Sequence, residues 1–348
     1  LPVKNRYVNL NKIKTTTFEK VDKLTKKQII TLIRLNYFRN KENRYEPKEE
    51  NIMPYFLGHN DSSFLSYFIE PELLMDNKTG KTIEENMIVG AITSRPLHVI
   101  IHSKYNNPAF DIYYVDYLCV NKNWRKKNIA PQLIQTHEYI QSHNNRKISV
   151  SLFKREDELT GIIPLTVYKT FCFSMKKWNL PTKLNGKMTI LTGDKQNMYY
   201  LYNFIKEIGN NWDILIYPEI TNLIELVSSN NLFIKMLVID GNIEAVYIFR
   251  KTCVYIEKDD EIVSCIASVM KKDILTTNEF INGFKFALSS IKVNNNFKYV
   301  SIEDISDNGI IINNICIKTY PMLISPMAYF FYNFAYTPFK SNKCLIIT

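Results

Sequence analysis

The stretch DIYYVDYLCVNKNWRKKNIAPQLIQTHEYIQ, residues 111–141, decides the fold. Its first part, Asp111–Val120, is dense in aromatic and β-branched residues and reads as a buried strand. Pro131 suits the first turn of a helix, where its missing N–H is not wanted. Leu133, Ile134, His137 and Ile140 then recur at helical spacing. Lys147–Phe153 reads as a second strand, closing a β-loop-α-β unit and placing the chain in the α/β class. A basic loop, Lys122 to Lys127, lies between strand end and helix start. Free main-chain N–H groups, the positive helix end and lysines converge there, which makes an anion site; the alternative is a solvated basic turn.

Upstream, residues 21–36 carry Leu24, Ile29, Ile30, Leu32 and Ile33 on one helical stripe. Arg39–Asn51 is highly charged and reads as a loop, and Ser62–Ile69 as a second helix. MIVGAITSRPLHVII, Met87–Ile101, reads as two β segments broken by a Ser-Arg-Pro turn. Downstream, Asn185–Lys195 reads as a loop that marks the passage into a second half. There FIKMLVIDGNIEAVYIFR, residues 233–250, holds an Asp240-Gly241 hairpin signal and echoes Met87–Ile101. Two related α/β halves, 1–185 and 186–348, are expected. The segment MAYFFYNFAYTPF reads as helix or strand, and the apolar tail Cys344–Thr348 is expected to be buried.

A chain of 348 residues, 46% hydrophobic and 22% charged, is long enough for about two globular domains. Apolar runs such as Ile262–Met270 fall short of the ~18–20 residues of a membrane span, so no transmembrane segment is expected. No charged-then-apolar leader opens the chain. It starts Leu1-Pro2 without methionine, so a trimmed upstream portion is expected. Cys119, Cys172, Cys253, Cys265, Cys316 and Cys344 form no CxxC pair, which points to a reduced, cytoplasmic compartment. His59, His98, His102, His137 and His143 show no metal-ligand spacing, so no metal site is expected. The net charge of +10 raises a nucleic-acid partner. The lysines are spread along the chain, however, and no RRM, KH or helix-turn-helix signature appears. No specific nucleic acid is expected; part of the charge suits the phosphates of a nucleotide cofactor.

Tyr117-Leu118-Cys119-Val120, followed by Lys122, Arg125, Lys127 and Ile129-Ala130-Pro131, resembles the NFLCVHKKLRSKRxAPVLI signature of N-myristoyltransferases, the glycylpeptide N-tetradecanoyltransferases. Met87–Ile101 resembles that family's KLVGFISAIPANIHI, and Asn36-Tyr37 the end of its LLNENYVEDD segment. Leu1-Pro2 with Tyr7 is similar to its LPxGF opening, and Tyr329–Asn333 to its QYYLYNW. The resemblance covers essentially the whole chain and is diffuse outside residues 87–135.

The resemblance implies two GNAT-like acyltransferase halves with a pseudo-two-fold relation. It implies myristoyl-CoA as co-substrate in the first half, no permanently bound cofactor, and a groove in the second half for peptides with an N-terminal glycine. It assigns the oxyanion donors to the main-chain N–H groups of Tyr117 and Leu118, and the phosphate loop to Arg125, Lys126, Lys127, Asn128, Ile129 and Ala130. It assigns the general base to the C-terminal carboxylate of Thr348, and the peptide pocket to Tyr37, Asp116, Thr170 and Cys172. Several positions depart from the pattern. Phe38-Arg39-Asn40-Lys41 replaces an acidic run, and Ile324-Ser325-Pro326 an acidic glycine-rich loop. Asp116 replaces Asn, Asn128 a basic residue, and Thr170-Phe171-Cys172 a Tyr-Trp-His. Glu303-Asp304 is a compensating acidic pair, and neutral or acidic downstream peptide residues are expected to be tolerated. The alternatives are a same-fold acyltransferase with another acyl chain or a lysine acceptor, and a non-catalytic acyl-CoA or lipopeptide-binding protein.

Overall fold

The computed structural model describes residues 3–38, 43–75, 82–102, 108–156, 161–184, 186–257, 259–293 and 295–348. The first half runs β1 (Ile13–Thr17), α1 (Lys23–Asn36), β2 (Arg44–Tyr45), α2 (Glu49–Ile52), β3 (Phe64–Met75), β4 (Thr82–Ile101), β5 (Ala109–Val120), α3 (Ile129–Asn144), β6 (Ser151–Glu156) and β7 (Thr166–Ser174). The second half runs β8 (Met188–Thr192), α4 (Met198–Ile208), β9 (Ile214–Tyr217), α5 (Ile220–Ser228), β10 (Leu232–Ile239), β11 (Asn242–Tyr255) and β12 (Glu261–Met270). It ends in α6 (Thr277–Lys292), β13 (Phe297–Glu303), α7 (Asn308–Cys316), β14 (Leu323–Tyr332) and β15 (Cys344–Ile346).

The same connectivity occurs twice. β3, β4 and β5 form an antiparallel meander, and α3 carries the chain to β6, parallel to β5. β10, β11 and β12 repeat the meander, and α6 carries the chain to β13, parallel to β12. The copies are joined by exchange: β14 lies between β6 and β7, and β7 between β14 and β13. One hydrophobic core spans them, with Phe18, Ile33 and Ala91 from the first half packed in the same cluster as Leu226, Ile248 and Leu345. Among the described residues no helix is long and apolar enough to cross a membrane.

Local chemistry explains the elements. Asp22 caps α1 by accepting from the Thr25 N–H at 2.9 Å, and Ile29, Leu32 and Ile33 face the core. Asp240 and Gly241 take positive φ, 47° and 85°, as the tight β10–β11 turn requires. Ser62–Ile69, expected as a helix, instead enters β3. Phe64, Leu65, Ser66 and Phe68 are all buried, so the alternation that marks a strand is missing from the sequence. The expected break at Ser-Arg-Pro is likewise absent, since β4 runs unbroken for 20 residues. Pro96 fits because β3 pairs with β4 only up to Ser94 and β9 begins pairing at His98. The missing N–H therefore falls between two partners. The loop read over Asn185–Lys195 contains β8, paired with β10; Asn185 lies outside the described residues. The loop read over Arg39–Asn51 contains β2 and the start of α2; residues 39–42 lie outside the described residues, as do Leu1 and Pro2.

Helix α3 is fixed on the sheet by a buried polar chain. Ser66 Oγ lies 2.8 Å from His137 Nδ1, and His137 Nε2 lies 2.8 Å from Ser94 Oγ. Ser94 donates to Gln141 Oε1 at 2.5 Å, so His137 Nε2 carries the proton given to Ser94 and Nδ1 accepts from Ser66. Ser151 and Ser142 both donate to Glu138 at 3.0 Å, close to the same helix face. Burial pushes the His137 imidazole down to about 3, so the ring is neutral in the fold. An unfolded histidine titrates near 6.5. The stability this provides is fully present above that pH and is lost on acidification, by about 1.4 kcal/mol per pH unit, until the folded value is reached. Urea midpoints measured from pH 7 to pH 4 should fall less steeply for His137→Gln than for the wild type; parallel slopes would contradict this.

Candidate active site

β5 runs beside β6 up to Val115, which pairs with Phe153. Beyond that point β6 stays with β14 and β5 with β4, so the two strands part. The register of β4 against β5 slips at the same place. Ile92 faces Leu118 but Ser94 faces Val115, leaving Asp116 and Tyr117 together opposite Thr93. Such a bulge reverses which residues point their N–H toward which neighbour. Before it, Tyr113 donates to the Val150 carbonyl, away from β4, at 2.9 Å. After it, Asn121 donates to the Val89 carbonyl, toward β4, at 2.8 Å. Counting back by twos, Cys119 and Tyr117 point their N–H toward β4, and Leu118 points its N–H away, into the gap. The Tyr117 N–H donates to the Thr93 hydroxyl at 3.1 Å. The donor pair expected at Tyr117 and Leu118 is therefore split, and only the Leu118 N–H faces the parting strands.

A cavity of about 400 Å³ opens at this gap, with Tyr37, Asp116, Tyr117, Thr170, Arg250 and Glu303 in its wall. Tyr37, Asp116, Tyr117 and Thr170 thus come together as the sequence suggested, while Leu118 follows the wall without lining it. Cys172, two residues beyond Thr170 on β7, is buried and lines no part of the cavity. Burial pushes its thiol up to about 11, so it is an inert packing group.

Two charge clusters line or back the wall. Arg95, fully buried, donates through Nε to both oxygens of Asp116 at 3.0 and 3.2 Å. Its guanidinium lies over Tyr55 and Tyr114, 5.2 and 5.4 Å from the ring centroids. Burial raises the Asp116 carboxyl above the ordinary aspartate value, and Arg95 holds the rise in check. In the second cluster, Glu303 accepts from Lys154 at 2.8 Å and from the Tyr168 hydroxyl at 2.7 Å, with Arg250 3.7 Å away. Burial pushes Glu303 up, but Lys154 and Arg250 outweigh it and hold the carboxyl below its usual value. Glu303 is thus already paired, rather than free to meet a basic peptide. Tyr37, half-buried, is pushed up to about 12 by desolvation and stays a neutral hydroxyl that donates to the Asp116 carbonyl at 3.4 Å.

The apolar tail is inside the protein. β15 pairs parallel to β9, and Ile347 donates to the Ile216 carbonyl at 2.8 Å. Thr348 is buried, its hydroxyl 3.2 Å from that of Tyr329. Arg250 Nη1 donates to the Thr348 main-chain oxygen at 3.5 Å, which ties the tail to the cavity wall.

The loop before α3 departs from expectation in its side chains more than in its main chain. Arg125 donates to the Asn36 carbonyl at 2.6 Å and the Val120 carbonyl at 3.3 Å, so it closes the end of α1. Lys127 lies 4.1 Å from the Trp124 ring centroid. Lys126 and Asn128 take positive φ, 63° and 58°. Such left-handed residues curl successive N–H groups into a concave face at the helix start. Ile129 is buried; a Cβ at Gly90 would come 2.9 Å from Leu133 Cδ1 and 3.1 Å from Ile129 Cγ2, so α3 lies tight on β4. Ile129 can therefore offer a ligand its main chain, not its side chain. The expectations placed on Arg39 and Lys41 lie outside the described residues.

Arg95, Lys154 and Arg250 were missed by sequence reading. The signal was present: Arg95 interrupts an apolar run and Arg250 ends one, and a charge inside a buried strand needs a partner.

Residues 3–163 match the family profile described as Myristoyl-CoA:protein N-myristoyltransferase, N-terminal domain. Saccharomyces cerevisiae N-myristoyltransferase with bound myristoyl-CoA is similar over 98% of this chain and 86% of its own, with a TM-score of 0.71 and 14% identity. A structure of the yeast enzyme with bound myristoyl-CoA and inhibitors gives the same TM-score and identity, over 98% and 83% of the two chains. A tandem GNAT protein from the clavulanic acid biosynthesis pathway is similar at TM-score 0.59 and 10% identity, over 92% and 98%. No curated protein matches the sequence. Residues 3–163 therefore match the N-terminal domain of the N-myristoyltransferase family, and the whole chain has the fold of the yeast member.

Proposed function

We propose that this protein transfers a myristoyl group from myristoyl-CoA to the amino group of an N-terminal glycine. The bulge that turns the Leu118 N–H toward the gap where β5 and β6 part, beside the cavity, carries the reading. Residues 1–185 take the acyl-CoA, with its phosphates against the main chain of Lys126–Ala130. Residues 186–348 complete the peptide groove. The yeast protein of the same fold, crystallised with myristoyl-CoA, supports the choice of donor.

The chemistry needs few groups. The glycine ammonium gives a proton to the Thr348 carboxylate, and the freed amine attacks the thioester carbonyl carbon. The carbonyl oxygen becomes an oxyanion facing the Leu118 N–H. Collapse breaks the carbon–sulfur bond, CoA leaves as the thiolate and takes up a proton, and the nitrogen loses its second proton as the amide forms. Arg250, bonded to the Thr348 oxygen, holds the base against the cavity wall.

Incubation with myristoyl-CoA and a panel of glycine-initiated peptides should release one thiol per peptide gaining a myristoyl mass. Thiol release with acetylated or lysine-bearing peptides only, or no mass gain at all, would overturn the reading.

A further inference from the structure

Three consecutive residues of β4, Thr93, Ser94 and Arg95, are polar and at most 1% exposed, in the centre of a buried sheet. Thr93 and Arg95 reach β5, and Ser94 reaches α3. Thr93 accepts from the Tyr117 N–H at the bulge, Ser94 stands between His137 and Gln141 of α3, and Arg95 holds Asp116 in the cavity wall. Successive side chains of a strand point to opposite faces, so Thr93 and Arg95 share one face and Ser94 takes the other. We propose that Thr93 and Ser94 form a positioning element that sets both ends of the donor site: Thr93 maintains the bulge that frees the Leu118 N–H, and Ser94 sets helix α3, whose start carries the anion-binding loop. This rests on the acyl-transfer reading above.

The parity of the β4–β5 ladder makes the Thr93 role specific. Without the bulge, the register of Ser94 against Val115 would continue and Leu118 would fall opposite Ala91. Even-numbered residues would then face β4, and the Leu118 N–H would be consumed by the ladder. The bulge leaves one extra N–H to be satisfied, at Tyr117, and the Thr93 hydroxyl is its acceptor. A buried N–H without an acceptor is costly, so removing that hydroxyl favours the regular register. Thr93 touches no reacting atom; it acts through the main chain of Tyr117 and Leu118. Ser94 acts through α3: Ile129 and Leu133 lie tight on Gly90, four residues before it on β4, and His137 and Gln141 bond to it one and two turns further along the helix.

The test is steady-state kinetics of the full chain with myristoyl-CoA and a glycyl peptide, together with myristoyl-CoA affinity by calorimetry. Thr93→Val keeps the shape and removes the acceptor. It should lower kcat by about 100–1,000-fold, as loss of one oxyanion donor does, with both KM values within about twofold. Thr93→Ser should restore kcat. Ser94→Ala removes the bonds to both His137 and Gln141; it should weaken myristoyl-CoA binding by about threefold to tenfold, part of that loss passing to the loop, and leave kcat within about twofold. Unchanged kcat in Thr93→Val, or equal losses in kcat and KM that Thr93→Ser does not restore, would overturn the Thr93 role. Wild-type affinity in Ser94→Ala would overturn the α3 role. Should Thr93→Val not fold, Thr93→Ala against Thr93→Ser gives the same decision. A wild-type chain without turnover would instead overturn the functional reading itself.

Discussion

A short tag appended after Thr348 is expected to abolish turnover while myristoyl-CoA still binds. Cys344 to Thr348 are all at most 3% exposed, so an added tag has to displace buried packing. A tag also converts the carboxylate into an amide, which cannot take a proton from an ammonium. General-base catalysis contributes about 10²–10⁴-fold, so at least a hundredfold loss in kcat is expected. The Leu118 N–H and the loop before α3 lie in the other half, so acyl-CoA affinity serves as the control for folding. Trimming residues 346–348 should act the same way, since it removes Thr348 and the bond from Ile347 to Ile216. Normal turnover in the tagged chain would show that the base lies elsewhere. Asp116, in the cavity wall, would then be the next group to replace, by Asn.

Arg95→Met is expected to be the most destabilising single substitution near the site. Asp116 would keep its burial and lose the guanidinium bonded to both its oxygens. Removing one partner of a buried pair costs about 3–5 kcal/mol, because the remaining charge is stranded. Replacing both partners by uncharged groups of similar size costs far less. Arg95→Met with Asp116→Asn should therefore recover most of the loss, and a urea-denaturation double-mutant cycle measures it. A single variant as stable as the wild type would mean that Asp116 is neutral in the fold and the pair contributes nothing.

How much of this could be read from sequence differs by element. The β5–loop–α3–β6 unit was legible because Pro131 and the helical spacing after it are local signals. The buried tail was legible because five nearly apolar residues at that position need cover. β3 was misread because it is buried on both faces, which erases alternation. The unbroken course of β4 was hidden by Ser94, Arg95 and Pro96, whose reasons are all non-local. Ser94 answers to α3, Arg95 to Asp116, and Pro96 to a space between β3 and β9. The cavity was half legible. Tyr37, Asp116, Tyr117 and Thr170 came from resemblance, whereas Arg250 and Lys154 gain meaning only once β11 and β6 are brought to one gap. The split of the donor pair was invisible, because it follows from a one-residue register slip that no composition records.

The insertion of β14 between β6 and β7 bears on how this chain comes into being. Strands β6 and β7 are neighbours in sequence, yet the slot between them stays open until nearly the whole chain has been synthesised. Closing so distant a contact is slow, because chain entropy must be given up before the pairing rewards it. Throughout that wait two strand edges offer unpaired N–H and carbonyl groups to any other chain. The sequence of β6 ends Lys154-Arg155-Glu156, and β7 carries Lys169. Such charges on a temporarily open edge repel a second copy. Lys154 later becomes the partner of Glu303 in the cavity wall, so one side chain guards the nascent edge first and the finished site afterwards.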